Sequence, residues 1–247
     1  LERKPARIMD SDTQFQWFVV DDRNAPEAVI ALLTVLIEEQ FDTWKFDPIL
    51  ECQIIVPQRK GALGTNRLNL EMQRVWQLKR YNREIPQVSS SGWDKRPKFY
   101  PGDKIMQVKN DYKLGDPGSG GVMNGTQGII SDIKQRPGKS AVYVIKFEDR
   151  ALPVEVEAAS DQARNIDLAY VCTVHKVQGS QYACVVAIVH RAHAYMLSRN
   201  LLYTACTRAQ TSTIIIGEPV GLRRAVRVVT PMQRNTWTAL LTKKVAA

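Results

Sequence analysis

Apolar residues recur along this chain in more than one rhythm, and the changes of rhythm divide it. Phe15 to Val20 is an apolar run that predicts a strand, ending in Asp21-Asp22. Asn24-Ala25-Pro26-Glu27 then starts a helix with Pro in its first turn. Val29, Leu32, Leu33 and Leu36 follow at i, i+3, i+4 and i+7, the stripe of an amphipathic helix packed on a sheet. Phe41 to Pro48 reads as a connection, and Cys52 to Val56 as a second buried strand. From about Asn66 the helical period returns, with Leu68, Met72, Val75 and Trp76 as its core stripe. Tyr81 to Pro101 is polar and broken by Pro86, Ser89-Ser90-Ser91-Gly92 and Pro97, so it predicts a loop.

From Asp103 to about Asn165 the texture changes to short alternating segments, Lys104–Val108, Gly128–Ile133, Ala141–Phe147 and Leu152–Val156. The turns Gly115-Asp116-Pro117-Gly118, Asn124-Gly125 and Pro137-Gly138 separate them, as in a small antiparallel β module. Buried α/β texture resumes at Asp167, so the module looks inserted. Leu168-Ala169-Tyr170-Val171 predicts a buried strand, as do Cys184–His190 and Thr213–Ile216, the last closed by Gly217. Between them, Arg199 to Ala209 has helical periodicity, with Leu202, Ala205, Cys206 and Ala209 on one face and Arg208 off that stripe. A short helix is expected from Gly221 to Val226, with Arg223, Arg224 and Arg227 as a solvated basic face, and the residues after Pro231 as periphery. The predicted class is α/β: helices flanking a parallel sheet over residues 1–102 and 166–247, interrupted by a β insertion at 103–165.

Composition adds little to the fold but something to the partners. The 247 residues are 44% apolar and 24% charged, ordinary for a globular protein. The formal net charge is +9, an excess that favours a polyanionic partner, nucleic acid being the commonest. Cys52, Cys172, Cys184 and Cys206 lie far apart in apolar segments, which predicts buried free thiols in a reducing, cytoplasmic compartment and no zinc site. No apolar run suggests a membrane span or a signal core.

Three lookalikes carry no site. Gly138-Lys139-Ser140 copies the end of a phosphate-binding loop, but Ile133 stands where the first Gly is needed and a strand-like run follows, so it predicts a hairpin turn. Asp21-Asp22 imitates a magnesium site but is followed at once by a helix start. His190 and His193 resemble a metal pair, yet no carboxylate or Cys cluster accompanies them. Two places do gather chemistry at the carboxyl end of a predicted strand, where open α/β sheets bind ligands. One is Thr173-Val174-His175-Lys176-Val177-Gln178-Gly179-Ser180, after Leu168–Val171. The other is Pro57-Gln58-Arg59-Lys60-Gly61, where Arg59 and Lys60 either meet phosphate or form a solvated basic loop, and where Gly61 and Gly64 permit close backbone approach.

The stretches "TVHKVQGSQ" and "RNLLYTACTRA" resemble the fifth and sixth signature motifs of superfamily-one DNA helicases, most closely the RecD-like branch. "IIVPQRKGALGTNRLN" resembles that branch's fourth motif region, and "YPGDKIMQVKNDY" with "VMNGTQGII" resembles the start of its SH3-like insertion. The likeness runs from about Phe15 to Thr238 and implies a second RecA-like domain carrying a small SH3-like barrel. It implies ATP and Mg shared with an N-terminal RecA-like domain, single-stranded DNA as ligand, and no membrane. By position it makes Arg208 the arginine supplied in trans and Arg59 a second phosphate contact. Gln178, Gly179 and Gln181 become nucleotide-side residues, and Thr173, His175 and Lys176 DNA contacts. The family often has Glu where this chain has Gln181, which puts contact with the nucleotide sugar in doubt. No phosphate-binding loop occurs in these residues, so the implied role is half of an ATP site. The reading from a different class is a noncatalytic nucleic-acid- or protein-binding adaptor on the same fold. A nuclease subunit ranks below both, for want of a carboxylate cluster.

Overall fold

The computed structural model describes residues 15–20, 25–115 and 120–229. The Asp21-Asp22 pair, the Asp116-Pro117-Gly118 part of a predicted turn and the segment after Pro231 lie outside them. Five strands form one parallel sheet in the order β1 (Phe15–Val19), β10 (Ala209–Gly217), β9 (Tyr182–Val189), β2 (Cys52–Val56), β8 (Val171–Thr173). β2 is buried throughout and β9 nearly so, the mark of a sheet covered on both faces. Ile54, Val56, Val186, Ile188, Ile214 and Ile216 point to the side packed by α1 (Ala25–Val35) and α3 (Thr65–Tyr81). Their strand neighbours Ile55, Val185, Ala187, Val189 and Ile215 point to the side of α5 (Arg199–Cys206) and α6 (Pro219–Arg227). The side-chain period of two thus divides each strand between two cores.

The second sheet is antiparallel, in the order β6 (Val154–Glu157), β5 (Val142–Phe147), β4 (Gln127–Lys134), β3 (Lys104–Gln107), β7 (Ile166–Leu168). Its Ile105, Ile130, Ile145 and Phe147 are buried in the same cluster as α1 and α3, so the two sheets share a core. Gly138-Lys139-Ser140 is the turn between β4 and β5, with Gly138 at φ +69. α4 (Asp161–Arg164) leads into β7.

Three expectations need correction. Leu168–Val171 is not one strand: Leu168 ends β7 in the antiparallel sheet, Val171 begins β8 in the parallel one, and Ala169-Tyr170 crosses between them. The crossing stays apolar and buried, so hydrophobicity does not mark it. Phe41–Pro48 is not wholly a connection. A π-helical segment, Leu36–Gln40, and α2 (Phe41–Thr43) carry the first helix on, and the wider turn lets Leu36, Ile37 and Phe41 all reach the core. Finally, α5 stops at Cys206, so Ala209 already belongs to β10 and Arg208 sits in the turn between them.

Candidate functional site

β8 is an edge strand, and its open edge is closed by a side chain instead of another strand. Asn69 of α3 accepts from the Val171 amide at 2.8 Å and donates to the Val171 carbonyl at 2.9 Å. This pairing fixes the start of the loop that follows. Val174 and Val177 of the next 3₁₀ turn, Val174–Val177, are buried with Ile55, Val185 and Ala205. Anchored through those two valines, the turn leaves His175, Gln178, Gly179 and Gln181 exposed. Gly179 adopts φ +93, a left-handed conformation that glycine enters without strain.

Thr173, Lys176 and Arg59 come together on one side of this turn. With Thr65, Asn69, Asp167 and Cys172 they line a cavity of about 190 Å³ between α3, β8 and the antiparallel sheet. A neighbouring cleft of about 330 Å³ shares Arg59, Asn69 and Asp167 and adds Trp93, Lys95, Arg96 and Arg164. Arg59, largely solvated, lies 3.7 Å from the half-buried Asp167, a long pair open to water on one side that contributes little to stability. Burial pushes the Asp167 carboxyl above its ordinary value, opposed by the Leu168 amide and Arg59. Lys176 is not a free solvated cation: it donates to Asn124 Oδ1 at 2.8 Å and to the Val108 carbonyl at 3.4 Å, tying the loop to the antiparallel module. Burial, then repulsion from Arg59, lowers its pKa. Gly64 serves the loop itself, since a Cβ there would stand 2.3 Å from the Arg59 carbonyl oxygen.

Arg208 lies elsewhere. Its carbonyl accepts from the Tyr182 amide at 2.9 Å, which places it at the amino ends of β9 and β10, whereas Arg59 follows the carboxyl end of β2. The structure therefore does not bring Arg59 and Arg208 together. The Arg208 guanidinium donates to the Ser180 carbonyl at 3.3 Å, and its Nε is buried without an acceptor. Gln210 Nε2 donates to Gln181 Oε1 at 3.2 Å beside it. Gln178, Gly179, Gln181 and Arg208 thus share one exposed corner, where the two sequence stretches meet.

The histidine pair is structural. His193 is 1% exposed and its Nε2 donates to the Leu63 carbonyl at 3.1 Å, leaving Nδ1 buried without a partner. Burial pushes its pKa down to about 4. A base held neutral in the fold but protonated when unfolded gives stability that is present above pH 6.5 and lost as pH falls toward 4. The expected loss is about 3 kcal/mol across that window. Urea unfolding of His193→Leu and wild type at pH 7 and pH 5 checks this: equal pH dependence in the two would refute it. Among the described residues no group of three or more His, Cys, Asp or Glu could hold a metal ion.

Sequence reasoning missed the polar residues that fasten the two sheets. Asp103, 0% exposed, accepts from Gln73, Gln77, the Tyr170 hydroxyl and the Tyr100 amide. Gln127 donates to Gln53 Oε1 and to the Tyr182 hydroxyl, while Gln53 donates to the Ala169 and Tyr170 carbonyls of the crossing. Lys104 donates to the Cys52 carbonyl at 3.0 Å and lies over the Tyr182 ring, its pKa lowered by burial. The available signal was Gln53, a polar residue inside an otherwise apolar strand run.

Residues 168–216, which hold both sequence stretches, match the UvrD-like helicase C-terminal domain. Over 195 residues, 79% of its length, the chain is 31% identical to the ATP-dependent RecD2 DNA helicase of Deinococcus radiodurans, of which it covers 23%. It is 29% identical to the RecBCD enzyme subunit RecD of Mycobacterium tuberculosis, covering 71% of this chain and 26% of that one. The chain therefore spans about a quarter of the length of these relatives. A Pif1 helicase from Bacteroides, solved with ADP-AlF3 and single-stranded DNA, aligns at 14% identity and a TM-score of 0.47, over 87% of this chain and 49% of that one.

Proposed function

We infer, from a chain similar to RecD and RecD2 helicases and whose residues 168–216 match the UvrD-like helicase C-terminal domain, that it is the second motor domain of an ATP-dependent DNA helicase. In this reading residues 1–102 and 166–247 form a RecA-like domain, and 103–165 form an SH3-like insertion to which β7 adds an edge strand. The observation that carries it is the hydrogen bond from Arg208 to Ser180, which joins the two signature stretches at one exposed corner. That corner suits a nucleotide held by the N-terminal RecA-like domain. Arg208 supplies a fixed positive fork for phosphate oxygens, and Gln178, Gly179 and Gln181 face the same ligand. ATP brings the phosphoryl group, and its magnesium ligands belong to the P-loop half.

The groove of Arg59, Thr173 and Lys176 suits single-stranded DNA. Arg59 is solvated enough to meet a backbone phosphate, Thr173 offers a hydroxyl, and His175, two residues on, is exposed. Lys176 acts here chiefly by holding the loop against the antiparallel module. Binding should be weak, insensitive to sequence, and salt-dependent with a slope of about −0.7 per neutralised phosphate. Thr173→Ala combined with His175→Ala should weaken it severalfold while changing stability by no more than about 0.5 kcal/mol, since neither side chain fills the core. Fluorescence anisotropy over a salt series measures both affinity and slope. A double variant that binds like wild type would leave the loop a nucleotide-side element only.

A further inference from the structure

Charge is not spread evenly over this molecule. Between Leu168 and Val229 the sequence holds seven Lys and Arg against one acid, Glu218, which is 1% exposed. Elsewhere many cations are neutralised: Lys134 and Arg136 meet Glu155 and Glu157, Arg164 meets Asp161, and Lys79 meets Asp42. On the face made by α5 and α6 the arginines have no such partners. Arg199, Arg223, Arg224 and Arg227 are all exposed, and none has a carboxylate within 4.0 Å among the described residues.

Backbone carbonyls draw these side chains together. Arg224 Nε donates to the Ala194 carbonyl at 2.6 Å, and Arg199 Nε to the Val226 carbonyl at 3.0 Å. Arg223 and Arg227 are one turn apart on α6. Beside them, next to Ala194, the Tyr195 side chain is 100% exposed. The ring stands fully in water and has no ring or cation-π partner among the described residues, while Arg224, bonded to the adjacent Ala194 carbonyl, brings one guanidinium without a carboxylate partner to its side.

We propose that the α5–α6 face is a second nucleic-acid surface, with Arg199, Arg223, Arg224 and Arg227 meeting backbone phosphates and Tyr195 stacking on a base. The chemistry selects a single strand, because a duplex keeps the faces of its bases covered. An acidic protein segment would use the arginines but leave the ring idle. The loop bearing Tyr195 leaves the carboxyl end of β9, and β9 pairs with β2, whose carboxyl end carries Arg59. Both surfaces therefore lie on one rim of the parallel sheet, and one strand long enough can touch both. This goes beyond the groove and does not depend on it.

The test is anisotropy titration of the 247-residue chain with a labelled oligothymidylate long enough to reach both places, over a salt series, with duplex and polyglutamate as competitors. Arg223→Glu with Arg227→Glu should weaken binding by about tenfold or more and flatten the salt slope by about 1.4, two phosphates at 0.7 each. Tyr195→Ala should weaken it by about fivefold or more with the slope unchanged, the signature of lost stacking. All of these side chains are exposed, and circular dichroism verifies the folds. Unchanged affinity and slope in the charge-reversal variant overturn the proposal, as does displacement by polyglutamate or duplex more readily than by oligothymidylate. Loss confined to the Thr173→Ala, His175→Ala variant also overturns it and leaves the groove standing. Loss confined to the α5–α6 variants upholds it and removes the groove.

Discussion

If the chain is the second motor domain proposed above, Arg208→Ala in the two-domain enzyme is expected to lower ATP turnover by about 10³–10⁵-fold, the range of a trans arginine in phosphoryl transfer. Such a reaction is accelerated mainly by positioning and charge stabilisation, so removing one fixed cation from the transferring phosphoryl removes much of the effect. ATP binding should persist, because in that reading the phosphate-binding loop that grips the nucleotide belongs to the other half. Arg208→Lys should recover little, since a point charge does not reproduce a planar fork. The fold should tolerate both changes: Arg208 is half-buried in a turn and makes one side-chain hydrogen bond, to Ser180. Single-turnover phosphate release, with nucleotide affinity measured in parallel, decides the matter. A variant within about tenfold of wild type, roughly 1.4 kcal/mol, would reduce Arg208 to a residue that braces the Ser180 loop.

How far the sequence reveals such a site depends on which force places each residue. β2, β9 and β10 were legible because strands covered on both faces need long apolar runs, and Cys52–Val56, Cys184–Val189 and Thr213–Ile216 supply them. β3 to β6 were legible from alternation and turn residues, each within a few residues of its observed bounds. The two signature stretches could be seen, but not that Arg208 and Arg59 sit at opposite strand ends, because that follows from sheet register. The crossing at Ala169-Tyr170 was hidden since both sheets bury it. What hides most completely is buried polarity. Asp103, Lys104 and Gln127 read as solvent-facing by type, and only their hydrogen bonds, made between elements far apart in sequence, reveal them as interior, whereas Gln53 stood out as a polar residue within an apolar strand run.

The largest effect on stability should come from that interior, at Asp103. Its Oδ1 accepts from Gln77 Nε2 at 2.7 Å and the Tyr170 hydroxyl at 2.9 Å, and its Oδ2 from Gln73 Nε2 at 2.6 Å and the Tyr100 amide at 2.8 Å. All four neighbours donate, so the site requires a group that only accepts. The glutamines cannot turn to oblige another, because Gln73 Nε2 also donates to the Lys98 carbonyl and Gln77 Nε2 to the Pro101 carbonyl. Asp103→Asn keeps the shape but sets its amide NH₂ either against the Gln73 and Tyr100 donors or against Gln77 with the Tyr170 hydroxyl turned to accept, so at least one donor loses its acceptor and the charge-assisted hydrogen bonds become neutral ones. Each stranded buried donor costs about 1–3 kcal/mol, so the variant should lose about 3 kcal/mol or more. Trp76 reports the event locally, since its indole donates to the Gly102 carbonyl beside Asp103. Tyr170 carries it toward the groove: it precedes Val171, where the Asn69 clamp holds the loop of Thr173 and Lys176. Urea unfolding followed by tryptophan fluorescence should therefore show an early midpoint, and oligonucleotide affinity should fall under conditions where the variant is still folded. A variant as stable as wild type would mean that the Asp103 cluster fills space between the sheets without fastening them.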